Sequence, residues 1–447
     1  MNVKFLNRSI EIFSSRNPVS STGYAAIAGT GHAPYIPKRT VVPTLRRDVL
    51  HTTTRTRVGH RILGHINNIA VPRFAGSAGE NKVQKYIRTQ LYGAGYDIRE
   101  RQVRTSLFPF DLLPRLIVAG VVLLILSAVV VMPSIPILGV ELAFISGLLL
   151  LGTSRWSHIR EGTYSFLSFG AIKSRNFIAI HPVTNKYLNV VFTAHYDSKS
   201  QLLSRYWFTW LVHIFWGATW ATIAIFPISM IFAWPLEALI LPAGFVCLVG
   251  LILVLNITKN TSPGAVDNAS GVGVLLELAQ SYAQQSCPVN LGFVFLGAEE
   301  AEHSGTVSLM KDELFRERFP STRTIIVNLD SLGTDDALYI MNRTAIPPMK
   351  KSLLLTQLIM EIGKRFGIDI KEGWQNVETS MSHVPMNLHG YEAVSLTSVN
   401  LGPVARAIHT KADTVPNIDI SALEVVYAVC QEIIDSLPVL RQIVTKN

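Results

Sequence analysis

Cysteine is scarce in this sequence, which has only Cys247, Cys287 and Cys430 among its 447 residues. The three are far apart, their number is odd, and Cys247 lies inside an apolar segment. These features argue against a disulfide framework. The absence of any Cys-x-x-Cys pair also excludes a metal site built on that motif.

Charged residues are few as well. They make up 16% of the chain, and hydrophobic residues make up 49%, whereas roughly a quarter of the residues of a soluble protein are charged. We therefore expect a membrane protein with a sizeable aqueous part. The formal net charge is +9, but no basic run with interleaved aromatic residues occurs, which argues against nucleic-acid binding. The lipid bilayer, through its headgroups, is the expected partner for this charge.

Long apolar stretches occur in two closely spaced pairs. Each stretch approaches the roughly 20 residues that a helix needs to cross a bilayer. Short proline-containing segments, residues 133–136 and 233–235, separate the members of each pair. Buried helices of a large soluble core are the alternative, but two tight pairs are difficult to place in one core. We therefore predict four spans in two transmembrane helical hairpins, at residues 116–132 with 137–152 and at residues 207–232 with 236–255.

The remaining sequence alternates between strand-like and helix-like segments. This alternation predicts an α/β fold with a mixed, largely parallel central sheet flanked by helices. Short apolar runs predict strands at residues 188–194, 291–296, 324–329 and 393–398. Periodic apolar residues predict helices at residues 79–94, 270–284, 304–316, 350–366 and 420–436.

The two predicted hairpins interrupt this α/β domain. We expect an irregular N-terminal extension at residues 1–50. The domain itself is expected to consist of three parts, with the hairpins inserted between them. The expected order is residues 51–115, the first hairpin at 116–152, residues 153–206, the second hairpin at 207–255, and residues 256–447.

Acidic residues and histidines follow the predicted strands. Ligands of open α/β sheets bind at the carboxyl ends of the strands, so these residues are candidates for a functional site. Taken singly, each has an ordinary structural explanation, such as a helix N-cap for Asp267. Taken together they are harder to explain in that way, because they gather at strand and helix boundaries. The candidates are His195, Asp197, Asp267, Glu299, Glu300, Asp330, His409 and Asp413.

The chemistry of these residue types suits a metal site. Imidazoles and carboxylates are ligands that zinc accepts. Two metals about 3.5–4 Å apart need a bridging carboxylate and jointly activate a water. An adjacent glutamate pair, such as Glu299 and Glu300, can supply one metal ligand and one general base. In the segment His195-Tyr196-Asp197, the aspartate can accept the ring N–H of the histidine and fix its tautomer.

The order of these motifs resembles the M28 family of zinc-dependent peptidases, the co-catalytic aminopeptidases. The resemblance covers roughly residues 60–110 and 160–440, and the two hairpins depart from it. Its motifs are RFAGSAGENKVQKYI (73–87), HYD (195–197), DNASG (267–271), GAEEAEHSGT (297–306), NLDSLG (328–333) and HTKADT (409–414).

The resemblance implies two zinc ions per chain and a role for each candidate. Glu299 is implied as the general base, and Asp197 as the residue that orients His195. The peptide bond between Asp267 and Asn268 is implied to be cis. The implied metal ligands are Asp267 as the bridge, His195 with Asp330 at one metal, and Glu300 with His409 at the other.

One segment departs from the family pattern. Many relatives have Ser-Asp-His-x-Pro-Phe before the last ligand strand, whereas this chain has SMSHVPMNLHGYEA at residues 380–393. The aspartate is missing, and Met386 stands at the aromatic position. Two interpretations of His383 stay open here, a side chain that faces the pocket and a histidine of a surface loop.

The charges that flank the hairpins predict their orientation. Both predicted turns lack lysine and arginine, which places the hairpin ends and the catalytic domain in the cytoplasm by the positive-inside rule. The N-terminus has no apolar stretch of signal-peptide length, which agrees. The alternative is a secreted or lumenal domain, as in many members of the family. The basic flanking residues are Arg101, Arg104, Arg115, Arg155, Arg160, Lys199, Arg205 and Lys259.

The leading hypothesis is a membrane-bound metallopeptidase, most closely an aminopeptidase, that acts on a peptide substrate. One alternative is a single-zinc acyltransferase of the glutaminyl-cyclase type, although retention of both His195 and Asp330 favours two metals. Another is a non-catalytic membrane receptor or scaffold, but the ligands and Glu299 are all retained. A transporter is disfavoured because the spans lack charged, broken helices. The preferred substrate residue and the oligomeric state stay open.

Overall fold

The computed structural model describes residues 54–163, 171–182, 187–334, 337–344, 349–373, 381–399 and 403–444. The expected irregular extension at residues 1–50 lies outside the described residues.

Helices and strands alternate along most of the chain. The helices are α1 (Thr54–Ile69), α2 (Ala78–Gly93), α3 (Leu113–Val131), α4 (Pro136–Thr163), α5 (Arg205–Phe232), α6 (Glu237–Val254), α7 (Ser270–Tyr282), α8 (Ser304–Lys311), α9 (Glu313–Arg318), α10 (Leu353–Phe366), α11 (His383–Leu388) and α12 (Ile420–Val444). The strands are β1 (Asp97–Thr105), β2 (Ile172–Ile180), β3 (Asn189–His195), β4 (Asn290–Leu296), β5 (Thr324–Leu329), β6 (Leu338–Met341), β7 (Arg343–Thr344), β8 (Met349–Lys350), β9 (Ile370–Glu372) and β10 (Glu392–Thr397).

One eight-stranded sheet forms the centre of the domain, in the order β1–β2–β4–β3–β5–β10–β6–β9. Strands β4, β3, β5 and β10 run parallel to one another. Antiparallel pairing occurs between β1 and β2, between β2 and β4, and between β10 and β6. The predicted mixed, largely parallel sheet flanked by helices is therefore confirmed.

The central strands are buried on both faces, which explains their nearly continuous apolar sequences. Every residue of β3 and β4 is buried. Successive side chains of β3 point to opposite faces of the sheet and therefore pack in different hydrophobic cores. Val190, Phe192 and Ala194 pack with residues of α1, α2, α7, α10 and α12, whereas Val191 packs with residues of α8, α9 and α11. Helices therefore cover both faces of the sheet.

The predicted strands at residues 188–194, 291–296, 324–329 and 393–398 are confirmed, as β3, β4, β5 and β10, to within one residue at each end. Strand β1 escapes prediction because its sequence, DIRERQVRT, is highly charged and it lies at an edge of the sheet.

The single helix predicted at residues 304–316 is wrong, because two helices, α8 and α9, occupy this region. The backbone of Asp312 is extended between them. Its carboxylate accepts the N–H of Phe315 at 2.8 Å and so caps the start of α9.

Apolar helices occur at two places in the described part of the chain, between β1 and β2 and between β3 and α7. Three helical segments are long and apolar enough to cross a membrane, namely Phe108–Val131, Arg205–Phe232 and Glu237–Val254. The apolar part of α4, Pro136–Gly152, is shorter. Large apolar side chains such as Val130 and Leu241 are exposed on these helices, as expected for a surface that contacts lipid. The presence of four spans stays a prediction.

The insertion of α5 and α6 between β3 and α7 is closed at its base. Ser200 and Lys259 exchange two backbone hydrogen bonds, of 2.9 and 2.6 Å. Arg73 is fully buried and adds a second closure. Its guanidinium donates to the carbonyls of Tyr196, before the insertion, and of Pro263 and Gly264, after it. The chain therefore leaves and re-enters the domain at nearly the same point.

Glu80 is a buried carboxyl group at the start of α2. Its Oε2 accepts the N–H of Gly76 at 2.6 Å, and its Oε1 accepts the hydroxyl of Ser174. Burial raises the pKa of Glu80 from 4.5 to about 7, although these hydrogen bonds act in the opposite direction. Because the folded-state pKa lies above the unfolded value, this group favours the folded state most below pH 4.5, and its contribution is lost as the pH rises to about 7.

We expect Glu80→Gln to remove this pH dependence, because glutamine keeps an acceptor oxygen and carries no charge. The thermal unfolding midpoint of the variant, relative to wild type, should rise as the pH increases from 4.5 to 7. At about 1.4 kcal/mol per pKa unit, the full difference in unfolding free energy is about 3 kcal/mol. Tryptophan fluorescence of the detergent-solubilised protein measures it, with the exposed Glu317→Gln as the control. A difference that stays constant over this pH range would contradict the expectation.

Candidate metal centre

Two groups of side chains beside the carboxyl ends of the central strands share Asp267. The first position consists of His195, Asp267 and Asp330, and the second position consists of Asp267, Glu300 and His409. Within each position the possible ligand atoms all lie within 4.8 Å of one another. The structure thus brings together the five residues that the resemblance implies as ligands, in the implied grouping. Their role as metal ligands stays a prediction.

Asp267 presents one carboxylate oxygen to each position. Its Oδ1 lies 3.2 Å from His195 Nε2, and its Oδ2 lies 3.2 Å from His409 Nε2. In the first position, His195 Nε2 also lies 4.0 Å from Asp330 Oδ1. In the second position, His409 Nε2 lies 3.4 Å from Glu300 Oε1. A carboxylate held in this way between two ligand sets is suited to bridging two metal ions.

Glu300 indicates that a cation fits the second position. Its Oε1 is buried and, among the described residues, has no hydrogen-bond partner. Its contact with His409 Nε2, at 3.4 Å, is an ion-pair contact that does not satisfy the hydrogen-bond criteria, and a buried polar atom without a hydrogen bond is costly, by about 1–3 kcal/mol. The same atom faces His409, and a divalent cation bound there would satisfy it. The imidazole and carboxylate ligands of both positions fit zinc.

Asp267 is held in the ionised form that metal binding requires. Burial acts to raise the pKa of Asp267, but its contacts with His195 and His409 outweigh burial and hold the pKa well below its usual value. Asp267 therefore carries a negative charge between the two positions.

The parallel strands explain why distant residues meet here. His195 ends β3, and Asp330 follows β5, its parallel neighbour. Glu299 and Glu300 follow β4, the parallel neighbour on the other side. Asp267 lies in the turn Ala265–Ala269 before α7, where its peptide bond to Asn268 is cis, as the resemblance implied.

Asp197 supports both His195 and the glutamate pair. Its carboxylate oxygens accept the backbone N–H groups of Glu299 and Glu300, each at 3.0 Å. His195 Nδ1 lies 3.2 Å from the main-chain oxygen of Asp197 and 3.7 Å from its Oδ1. The main-chain oxygen is thus the nearer partner of the ring, whereas the sequence suggested the carboxylate. The contact of Asp197 with the glutamate pair is invisible in the sequence because the two segments are far apart.

Asp413 holds the turn that carries Asp267. Its carboxylate accepts the N–H of Val266 at 2.7 Å and that of Asp267 at 3.1 Å. Burial raises the pKa of Asp413 to about 6, although these hydrogen bonds act to lower it. Sequence reasoning noted Asp413 beside His409 but gave it no role. In the sequence, only its position four residues after His409 marks Asp413 as a candidate. That position does not show that its carboxylate contacts the turn before α7.

Glu299, the implied base, is surrounded by hydrogen-bond donors that sequence reasoning missed. Its Oε1 lies 2.8 Å from His303 Nδ1 and accepts the hydroxyl of Ser382 at 2.7 Å. Its carboxylate also accepts the hydroxyl and the N–H of Thr306, at 2.8 and 3.0 Å. Ser382 stands directly before His383, where relatives have the missing aspartate. In the sequence, only this departure from the family pattern pointed to a contact of Ser382 with the site.

His383 is completely buried, so its interpretation as a surface loop histidine is wrong. Its Nδ1 lies 2.9 Å from Ser395 Oγ, and its Nε2 lies 3.2 Å from the carbonyl oxygen of Arg343. Burial lowers the pKa of His383 to about 4. The neutral ring therefore links α11 to β10, and its neighbour Ser382 reaches Glu299.

We expect Asp197→Asn to weaken zinc binding roughly 10- to 100-fold, the usual effect of removing a group that supports metal ligands. Asparagine has one acceptor oxygen and directs an NH₂ group at one of the two backbone N–H groups. Zinc affinity is measured by competition with a chelator on the full-length chain in detergent. The control is Asp369→Asn, whose side chain is 67% exposed. Equal zinc affinity of Asp197→Asn and wild type would refute this role of Asp197.

Comparison with known proteins gives matches of two kinds. Among curated sequences, the alkaline phosphatase isozyme conversion protein of Escherichia coli (strain K12) is 31% identical over 98 residues, which is 22% of this chain and 28% of that protein. The match therefore spans less than a third of that relative's length.

Solved structures align over most of the chain. An aminopeptidase from Aneurinibacillus sp. strain AM-1 is 16% identical, with a TM-score of 0.49, over 86% of this chain and 94% of that one. A Bacteroides thetaiotaomicron glutaminyl cyclase bound to N-acetylhistamine is 13% identical, with a TM-score of 0.49, over 85% and 97% of the two chains.

A family match covers every proposed ligand except His195. Residues 248–434, which include Asp267, Glu299, Glu300, Asp330 and His409, match the family described as Peptidase family M28. The predicted resemblance of this chain to the M28 peptidases is therefore confirmed.

Proposed function

We propose that this chain is a membrane-bound zinc metallopeptidase, and specifically an aminopeptidase with two zinc ions per chain. The match to Peptidase family M28 supports a hydrolase of the peptidase class. The observation that carries the proposal is the placement of Asp267, with one oxygen toward the first position and the other toward the second.

The two positions would hold the metals through the residues already described, with Asp267 as the shared ligand. When bound, zinc polarises a carbonyl oxygen and lowers the pKa of a water. Glu299 would accept the proton of the attacking water and return it to the leaving amine. The carboxylates around the site would hold the free N-terminal amine of a peptide substrate.

The surroundings of Glu299 suit a general base that must keep one orientation. Burial acts to raise the pKa of Glu299, but the hydrogen bond and charge of His303, the hydrogen bond of Ser382 and the charge of His195 together outweigh burial and lower the pKa. The carboxylate is therefore ionised near neutral pH and ready to accept a proton. Contacts with Ser382 and Thr306 fix its side chain from two further directions.

We expect Glu299→Gln to lower peptide hydrolysis roughly 100- to 10,000-fold, the range that a general base contributes, while zinc content stays the same. The measurement combines zinc analysis with a panel of aminoacyl reporter substrates. Glu317→Gln, on the exposed face of α9, is the control and should keep wild-type activity. Purified protein without zinc, or full activity in Glu299→Gln, would refute the mechanism. One zinc per chain with cyclisation of N-terminal glutamine would favour the glutaminyl-cyclase alternative.

We also propose that the catalytic domain lies on the cytoplasmic side of a membrane that four spans cross. Asp111 contacts the base of each hairpin, and the two bases therefore lie side by side. Its Oδ2 lies 2.6 Å from Arg115 at the start of α3, and its Oδ1 accepts the N–H of Thr258 after α6. The basic residues Arg115, Arg205 and Lys259 thus lie at the base, next to the domain, and support this orientation by the positive-inside rule.

We expect the hairpin turns to face the opposite side of the membrane from the domain. In eukaryotic cells, a short loop with an N-glycosylation acceptor inserted between Ser134 and Ile135 should become glycosylated. The same loop inserted after Arg318, between α9 and β5, should not. Glycosylation of the second insertion but not the first would show the reverse orientation.

A further inference from the structure

Lys199 lies beside the second position and forms an ion pair with one of its proposed ligands. Its Nζ is 3.1 Å from Glu300 Oε2, and its side chain is only 19% exposed. Neither the motifs nor the mechanism above gives this lysine a role. It lies in HYDSKS, between Asp197 and the base of the α5–α6 insertion.

The backbone on both sides of Lys199 is fixed. Ser198 donates its hydroxyl to the carbonyl of Ser262 at 3.1 Å, and its N–H to the carbonyl of Arg73 at 3.3 Å. On the other side, Ser200 forms the two-bond bridge with Lys259. The contacts that close the insertion therefore fix the backbone on both sides of Lys199, and its ammonium group contacts Glu300 through the 3.1 Å ion pair.

The ion pair makes the two oxygens of Glu300 unequal. Oε2 contacts Lys199, whereas Oε1 is the buried atom without a hydrogen-bond partner that faces His409. Only Oε1 is then available to a metal in the second position. A metal bound there also lies near a positive charge, and burial makes the repulsion between like charges stronger than it is in water.

In the first position, a basic charge also acts on Asp330, that of Arg205, but it acts from beyond ion-pair distance. Asp330 Oδ1 accepts the neutral hydroxyl of Ser331 at 2.9 Å. Among the described residues, no lysine or arginine forms an ion pair with Asp330, whose ion-pair partner is His195 at 4.0 Å. The two positions therefore differ at their unshared carboxylates. Glu300 forms an ion pair with a lysine, whereas in the described part of the chain Asp330 does not.

We propose that Lys199 makes the two metal positions unequal, so that zinc fills the first position tightly and the second position weakly, through Glu300 Oε1 alone. This inference rests on the proposed two-zinc function. When the second position is empty, the ammonium of Lys199 neutralises Glu300 and keeps a buried carboxylate paired. Occupancy of the second position then follows the concentration of free zinc.

Zinc titration of the full-length chain in detergent, after removal of metal and with a competing chelator, tests the proposal. We expect two zinc ions in wild type whose dissociation constants differ by about tenfold or more. Lys199→Met should tighten the weaker class roughly 10- to 100-fold and leave the tighter class unchanged. Asp330→Asn should weaken or abolish the tight class, and His409→Asn the weak class.

Three variants separate charge from packing. Lys199→Arg keeps the charge and should titrate like wild type. Lys199→Gln is a second neutral variant and should behave like Lys199→Met. If one of the two variants fails to fold, the other still tests the effect of removing the charge. Lys259→Met is the matched control, because Lys259 is exposed and lies on the opposite side of the same backbone bridge. It should leave both zinc classes unchanged.

The outcomes separate this inference from the proposed function. Two zinc classes of equal affinity in active wild-type protein would overturn the inference alone. So would weaker second-site binding in Lys199→Met, which would show that the lysine supports Glu300 as a ligand. Unequal classes in a protein without peptidase activity would overturn the proposed function alone, and a chain that binds no zinc would overturn both.

Discussion

Arg73 donates hydrogen bonds to carbonyl groups on both sides of the α5–α6 insertion, and the geometry of the candidate metal centre depends on this closure. His195 precedes the insertion and Asp267 follows it, yet their side chains approach to 3.2 Å. A guanidinium has several donors in a rigid plane and stays charged in the interior, which suits it to joining separate carbonyls. Burial lowers the pKa of Arg73 to about 10, although nearby carboxylates such as Asp413 and Asp197 act to raise it. It therefore remains protonated at neutral pH.

The interior of the domain concentrates negative charge around the two positions, and each carboxylate has its own means of stabilisation. Asp197 and Asp413 accept pairs of backbone N–H groups and so fix the segments that carry Glu300 and Asp267. Glu299 is held mainly by side chains, those of His303, Thr306 and Ser382, and also by the backbone N–H of Thr306. Buried carboxylates of this kind are stable only when they are paired or hydrogen-bonded.

The apolar helix α5 begins in direct contact with the segments that carry two of the proposed ligands. Tyr206, in its first turn, packs in a cluster with Val266 and Ile408, the neighbours of Asp267 and His409. The guanidinium of Arg406 lies 5.0 Å from the centre of the Tyr206 ring, a cation–π contact. The candidate metal centre and the start of a candidate membrane span are therefore one packed unit. The insertion is part of the site's construction and not a separate anchor.

The sequence by itself determined that acidic residues and histidines follow the central strands or precede a helix, and the resemblance carried by these motifs implied the proposed ligands His195, Asp267, Glu300, Asp330 and His409. That was possible because parallel strands end at one edge of a sheet, and because apolar runs reveal buried strands directly. The charged edge strand β1 and the split between α8 and α9 escaped prediction, since exposure and capping override the apolar pattern there.

Only the tertiary structure decided which side chains contact these residues. The pairing of Lys199 with Glu300, of Ser382 with Glu299 and of Asp413 with the turn before α7 joins segments that are far apart in the chain. Spacing along a sequence carries information about neighbours on one strand or helix, but not about contacts between loops. Those contacts depend on how the sheet and the closed insertion place each loop in space.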